Sequence, residues 1–177
     1  MLKQHQTGIT ALELMVTMTI IAILLSAGVP AFKDYSWNLR MKTAMDSLRT
    51  DMNLARGHAI SHNIQTIICP ATSSDDCSGN SAWQHGWIVF TDLNGDRSKQ
   101  DGEPLLKHGG PVEMVDISSS QSRNNLRFYP NGSAPGSNLS ILFCDQRGAG
   151  HAAIIAVSNT GRIRTQSGGI TPTANCP

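Results

Sequence analysis

Nineteen residues from Leu14 to Phe32 carry no charge, yet a lone carboxylate, Glu13, stands directly before them and a short polar leader, MLKQHQTG, precedes that. As a helix rising ~1.5 Å per residue, the uncharged run covers roughly 28 Å, the hydrocarbon thickness of a bilayer. It can therefore span a membrane, and Lys3 in the leader favours a cytoplasmic N-terminus with the remainder outside. Glu13 needs a separate reason, because a carboxylate entering lipid costs at least ~2.5 kcal/mol unless it finds a partner. A free α-amino group on a neighbouring chain would serve, and that requires cleavage just before Ile9. A secretory signal peptide cut near Ser26-Ala27, or an uncleaved anchor, would leave Glu13 unexplained; the three readings predict mature chains starting at Ile9, Gly28 or Met1.

Beyond the apolar run, 177 residues leave room for one compact domain and exclude a large two-domain enzyme. Net charge is +1, but it is unevenly spread: residues 65–103 hold two basic and six acidic side chains, and residues 104–177 hold six basic and three acidic. Part of the domain is thus electropositive. Cys69, Cys77, Cys144 and Cys176 form no CxxC pair, so two disulfides in an oxidising compartment are expected. Of the three connectivities, Cys69–Cys77 closes a short Ser/Asp-rich loop and Cys144–Cys176 pins the C-terminal tail.

After Pro30, which is expected to kink the helix, Trp37, Met41, Met45, Leu48, Met52, Ala55 and Ala59 recur at steps of three and four, the signature of one apolar helical face. Arg40, Lys42, Asp46, Arg49, Asp51 and Arg56 form its polar side. His58 and His62, at i and i+4, lack a third ligand nearby and read as surface histidines. From Ile64 the pattern changes to short β-prone runs: 65–69, 86–91, 105–106, 112–117, 125–129, 140–144, 152–158 and 162–165, separated by Gly, Pro, Asn and Ser clusters. The fold class is α+β, a long helix followed by an antiparallel sheet domain.

Few motifs carry chemistry. Asp92, Asn94, Asp96 and Glu103 fall at positions one, three, five and twelve of an EF-hand spacing, but Arg97 occupies the glycine position and the flanks read as strands. Asn94-Gly95 is itself a tight-turn dipeptide, so a polar hairpin is expected and no metal or cofactor is assigned. GAGHAA at 148–153 precedes a β-branched run and does not form a nucleotide loop. No GxSxG, HExxH or Walker sequence is present, and no enzyme is expected. In SNTGRIRTQ, residues 158–166, Arg162 and Arg164 alternate with Ile163. Period-two geometry places both guanidinium groups on one face, roughly 6.6 Å apart along a strand. Gln166 continues that face, and Arg147 and Lys107, with Arg123 and Arg127, belong to the same basic C-terminal part. Planar charged forks on a rigid strand suit phosphate oxygens.

Gly8 before an apolar residue, Thr10, Glu13 and the long apolar run resemble the prepilin signal of type IV pilins and type II secretion pseudopilins. The resemblance implies that a prepilin peptidase cuts after Gly8 and that Ile9, where the family usually has Phe, becomes the N-methylated terminus. It also implies that Glu13 pairs with a neighbouring subunit's N-terminus during assembly. Residues 87–106, WIVFTDLNGDRSKQDGEPLL, resemble the hairpin of the GspH/FimT branch. The organisation implied is a leader at 1–8, a membrane or filament-core half-helix at 9–32, an amphipathic half-helix at 33–63 and a β-rich periplasmic domain at 64–177. Such a protein would sit in the bacterial inner membrane, in contact with its lipid, before joining other major and minor pilins in a filament. Gly161, Arg162 and Arg164 match the GRxR sequence by which FimT-type minor pilins bind DNA during natural transformation. The function so implied is non-specific DNA binding in support of DNA uptake. The alternative is a structural subunit that primes a pilus or pseudopilus without touching DNA.

Overall fold

The computed structural model describes residues 10–71, 75–120, 122–167 and Cys176. Gly8 and Ile9 lie outside the described residues. The chain divides into two units, Met1–Leu39 and Arg40–Pro177, and one helix, α1 (Ala11–His62), contributes to both.

In the first unit α1 opens with an N-cap: the Glu13 N–H donates to Thr10 Oγ1 at 3.3 Å, so Thr10 satisfies an amide that the helix itself leaves unpaired. The apolar side chains that follow, from Leu12 to Phe32, are exposed. Hydroxyls among them would be costly in lipid, but Thr17, Thr19 and Ser26 donate to the Leu14, Met15 and Ile23 carbonyls at 2.9, 2.8 and 2.7 Å. The helix continues through Pro30, so the proline does not break it. This segment is long and apolar enough to cross a membrane.

The second unit buries the apolar face anticipated from periodicity: Met41, Met45, Leu48, Met52, Ala55 and Ala59, joined by Ala44. Trp37, which falls in the first unit, is half-buried. The strands are β1 (Gln65–Pro70), β2 (Trp87–Asp92), β3 (Leu105–Gly109), β4 (Asp116–Ser119), β5 (Leu126–Phe128), β6 (Leu139–Cys144), β7 (Ala153–Val157) and β8 (Ile163–Ser167). They build two four-stranded sheets, in the orders β3-β2-β1-β5 and β4-β6-β7-β8, every adjacent pair antiparallel. Residues 112–117 were expected to be extended throughout, but β4 begins only at Asp116, because Met114 has φ 62 and a left-handed residue ends a strand.

One continuous core joins α1 to both sheets, through Ile68, Trp87, Val89, Leu126 and Phe128 of the first and Ile117, Ile141, Phe143, Ile155 and Val157 of the second. A satellite cluster of Ile67, Cys69, Ile88 and Phe90 fills the other face of β1 and β2. Cys69 is bonded to Cys77, and Cys144, at the end of β6, to Cys176.

Asp51 departs from its expected place on the polar face. It is 6% exposed, and its Oδ2 accepts the Trp87 indole N–H at 2.8 Å. Both groups are buried, so removing the acceptor strands the donor. Asp51→Ala is therefore expected to cost about 2 kcal/mol, read as a fall of several degrees in Tm with a change in Trp fluorescence.

His58 is half-buried; its Nδ1 lies 3.2 Å from the Thr66 hydroxyl, and its ring stacks on His62 with centroids 4.0 Å apart. Burial first, and the His62 charge second, push its pKa below the usual value. A base whose pKa is depressed on folding contributes stability above its unfolded pKa, and that contribution is lost as pH falls below about 6.5 toward the folded value. Tm is expected to fall between about pH 7.5 and 5.5, and His62→Gln, which removes the second charge, should flatten that profile.

Candidate nucleic-acid interface

Three segments meet to set the position of the arginine pair. The turn after Tyr129 is closed by the Gly132 N–H donating to the Tyr129 carbonyl and the Tyr129 N–H donating to that of Ser133, at 2.8 Å each. Arg56, on α1, donates from Nε to the Gly132 carbonyl at 2.9 Å. On the other side, the turn joining β7 to β8 is closed by the Gly161 N–H donating to the Ser158 carbonyl at 2.8 Å. The Ala134 N–H donates to the Asn159 carbonyl, also at 2.8 Å, and ties the two turns together.

Gly161 is the pivot. Its φ is +75, and a Cβ there would overlap the Gly132 carbonyl oxygen and lie 3.2 Å from Arg56 Nε. It is buried and its amide is already used, so its part in the GRIR sequence is to fit a turn against a neighbouring loop. A phosphate cannot reach its N–H.

From that turn the chain enters β8. Val157 pairs with Ile163, Ala156 with Arg164, and Ile154 with Gln166. Ile163 packs on the core, while Arg162, Arg164 and Gln166 are exposed. Burial alternates over 162–164, while Thr165 is exposed like Arg164 and Gln166. Among the described residues no side-chain hydrogen bond or ion pair holds either guanidinium, and the cross-strand neighbours of Arg164 and Gln166 carry no charge. Among the described residues β8 is the outermost strand of its sheet, so the pair stands at an edge.

The other candidates are dispersed. Arg147 is paired with Asp145, Nη2 to Oδ2 at 2.6 Å, with side-chain exposures of 14% and 0%. Burial alone would raise the Asp145 pKa, but the Arg147 hydrogen bonds and charge, helped by His151, hold it below the usual carboxylate value. Arg147 is thus committed to structure. Lys107 belongs to β3 of the other sheet, where it lines a groove with Thr43, Asp46, Ser47, Thr50 and Asp51 of α1, beside two carboxylates. Arg127 is buried and stacked 4.6 Å over Tyr129, and Arg123 is bound to the Asn138 carbonyl. The positive character of residues 104–177 is consequently not one continuous field. Arg56, read from sequence only as part of a solvated helix face, instead abuts the turn before Arg162. Nothing in its local sequence could have placed it there.

The family described as type II transport protein GspH matches residues 44–161. A fimbrial protein of Dichelobacter nodosus is 32% identical over 120 residues, covering 64% of this chain and 69% of that protein. Crystal structures of the Pseudomonas aeruginosa type IV minor pilin FimU, in two crystal forms, resemble the fold with TM-scores of 0.58 and 0.55 at 18% and 19% identity. They cover 75% and 71% of this chain, and 92% and 91% of their own.

Proposed function

This chain belongs to the GspH family of type IV minor pilins and pseudopilins, and from that premise we propose that it is a FimT-like pilus subunit that binds DNA non-specifically and supports its uptake. The observation that carries the reading is the pair of exposed guanidinium groups of Arg162, directly before β8, and Arg164, within it, neither held by a side-chain partner among the described residues. Arginine forks bind phosphate oxygens bidentately, and phosphate contacts carry no sequence information, so the affinity is electrostatic and falls with salt. Gln166 adds a neutral donor on the same face, and Arg56 adds positive charge behind the turn. Two or three contacts give weak binding per subunit, which becomes useful when several subunits in one filament engage the same duplex.

Assembly rests on the N-terminus. Cleavage by a prepilin peptidase after Gly8, methylation of Ile9 and pairing of Glu13 with a neighbour's terminus would turn an inner-membrane precursor, with its second unit in the periplasm, into a filament subunit. Mass analysis of native protein should find a methylated Ile9 start. A start at Met1 or Gly28 would overturn that assignment.

For DNA binding, the test is a mobility shift with the full chain in neutral detergent and a short duplex of arbitrary sequence. Retardation at about 50 mM salt that weakens by 200 mM supports the proposal. No retardation at low salt leaves a purely structural subunit that primes a pilus or a type II secretion pseudopilus.

A further inference from the structure

The hairpin between β2 and β3 plays no part in that reading, and its interior is electrostatically incomplete. Asp92 is 2% exposed and Glu103 is 7% exposed, and among the described residues neither is ion-paired. Buried carboxylates are ordinarily paired with a cation or bound to a metal, because an uncompensated buried charge costs several kcal/mol. The Asp92 carboxylate is turned into the loop, where Oδ1 accepts the Gly95 N–H at 2.8 Å; Oδ2 is buried with no hydrogen-bond partner. We propose that this hairpin, residues 92–103, binds a calcium ion.

The spacing suits the chemistry. Asp92, Asn94, Asp96, Ser98, Gln100 and Glu103 stand at positions one, three, five, seven, nine and twelve of a twelve-residue calcium loop. The sequence raised two objections: strand flanks in place of helices, which β2 and β3 bear out, and Arg97 in place of the glycine at position six. That glycine is needed for its backbone conformation, and Arg97 adopts it, with φ 70. The two ends of the loop are already joined, since the Leu93 N–H donates to Glu103 Oε1 at 2.8 Å and the Thr91 N–H to the Pro104 carbonyl at 3.0 Å.

Every donor is oxygen, which selects a hard cation over zinc or copper. Magnesium demands a rigid octahedron and retains its waters, whereas calcium accepts six to eight oxygens on a flexible loop. In this conformation the acidic side chains do not converge on one point. Asp96 accepts the Ser98 N–H at 2.8 Å, and Glu103 Oε2 accepts that of Gln100 at 3.0 Å. The ion must draw both away from these partners, which places affinity in the weak range of extracellular modules, about 0.1–1 mM.

The experiment is calorimetric titration of calcium into chelator-treated full chain in neutral detergent, with Tm followed in parallel. A saturable site in the range of about 0.1–1 mM and a higher Tm at about 5 mM calcium are expected. Asp96→Asn alters an exposed residue whose Oδ1 can still accept the Ser98 N–H, although the Oδ2 contacts with the exposed Asn94 and Gln100 amides are lost; it should weaken calcium binding about tenfold and lower Tm in chelator only slightly, with Glu103→Gln as a second variant. Absence of saturable binding and of any Tm shift up to about 10 mM overturns the site. So does unchanged affinity in both variants, or an equal response to magnesium. DNA retardation is measured separately, so neither proposal's failure implies the other's.

Discussion

Replacing Arg162 and Arg164 together by alanine is expected to lower DNA affinity about a hundredfold at low salt while moving Tm by no more than about 1 °C. Each guanidinium forms a charge-assisted contact worth about 1.5 kcal/mol, and two such contacts give about 3 kcal/mol, or roughly two decades. Stability should hardly change, because both side chains are exposed and, among the described residues, without side-chain partners, so alanine strands no buried group. The salt dependence provides the stronger check. Each lost phosphate contact should reduce the slope of log K against log salt by about one, and the double variant by about two. A variant that loses affinity at unchanged slope would mean that the arginines act on something other than phosphates. Arg147→Ala serves as a contrast: it should cost stability more than affinity, because it leaves the buried Asp145 carboxylate without its partner. Equal loss of affinity from Arg147→Ala would place the interface elsewhere.

Gly161→Ala is expected to destabilise the second unit by about 3 kcal/mol, a fall of about 10 °C in Tm. The new Cβ demands a left-handed backbone from an alanine and overlaps the Gly132 carbonyl oxygen, which itself accepts the Arg56 hydrogen bond. Neither loop can retreat freely. Gly132 is closed against Ile60 of α1, and the Asn159 carbonyl is tied to Ala134. DNA binding should fall as a consequence, with both arginines still present, because the start of β8 is displaced. Thermal unfolding of Gly161→Ala beside the double arginine variant separates the roles within GRIR: glycine in position, arginine in contact. If Gly161→Ala kept the wild-type Tm and lost only affinity, the glycine would be touching the ligand.

The helix, the family and the arginine alternation were legible in the residues because each depends on neighbours along the chain. Periodicity of three and four marked Met41 through Ala59 as buried, and period two placed Ile163 inward between Arg162 and Arg164. The hairpin spacing was equally visible, but the two observations on which the calcium proposal rests were not. Neither the positive φ of Arg97 nor the unpartnered Asp92 oxygen can be read from residue order. Asp51 was misplaced for a related reason. A carboxylate at the border of an apolar stripe is solvated in most helices, and only the arrival of the Trp87 indole makes its burial tolerable.

Net charge by segment proved the least informative signal. Six basic residues follow position 103, yet Arg147 and Arg123 are spent on a carboxylate and a carbonyl, Arg127 is buried, and Lys107 lies in the other sheet. Residue order decided the apolar helix, the lone acid ahead of it, the core stripe and the alternation in β8, all of them consequences of fixed backbone repeats. The partition of eight strands into two sheets, and the approach of Arg56 to Gly161 by way of Gly132, depended on contacts between distant segments. So did the choice of which arginines of residues 104–177 lack a side-chain partner among the described residues. A repeat constrains which side a residue faces, but whether an opposite charge or a carbonyl waits there is settled only when the chain has closed on itself.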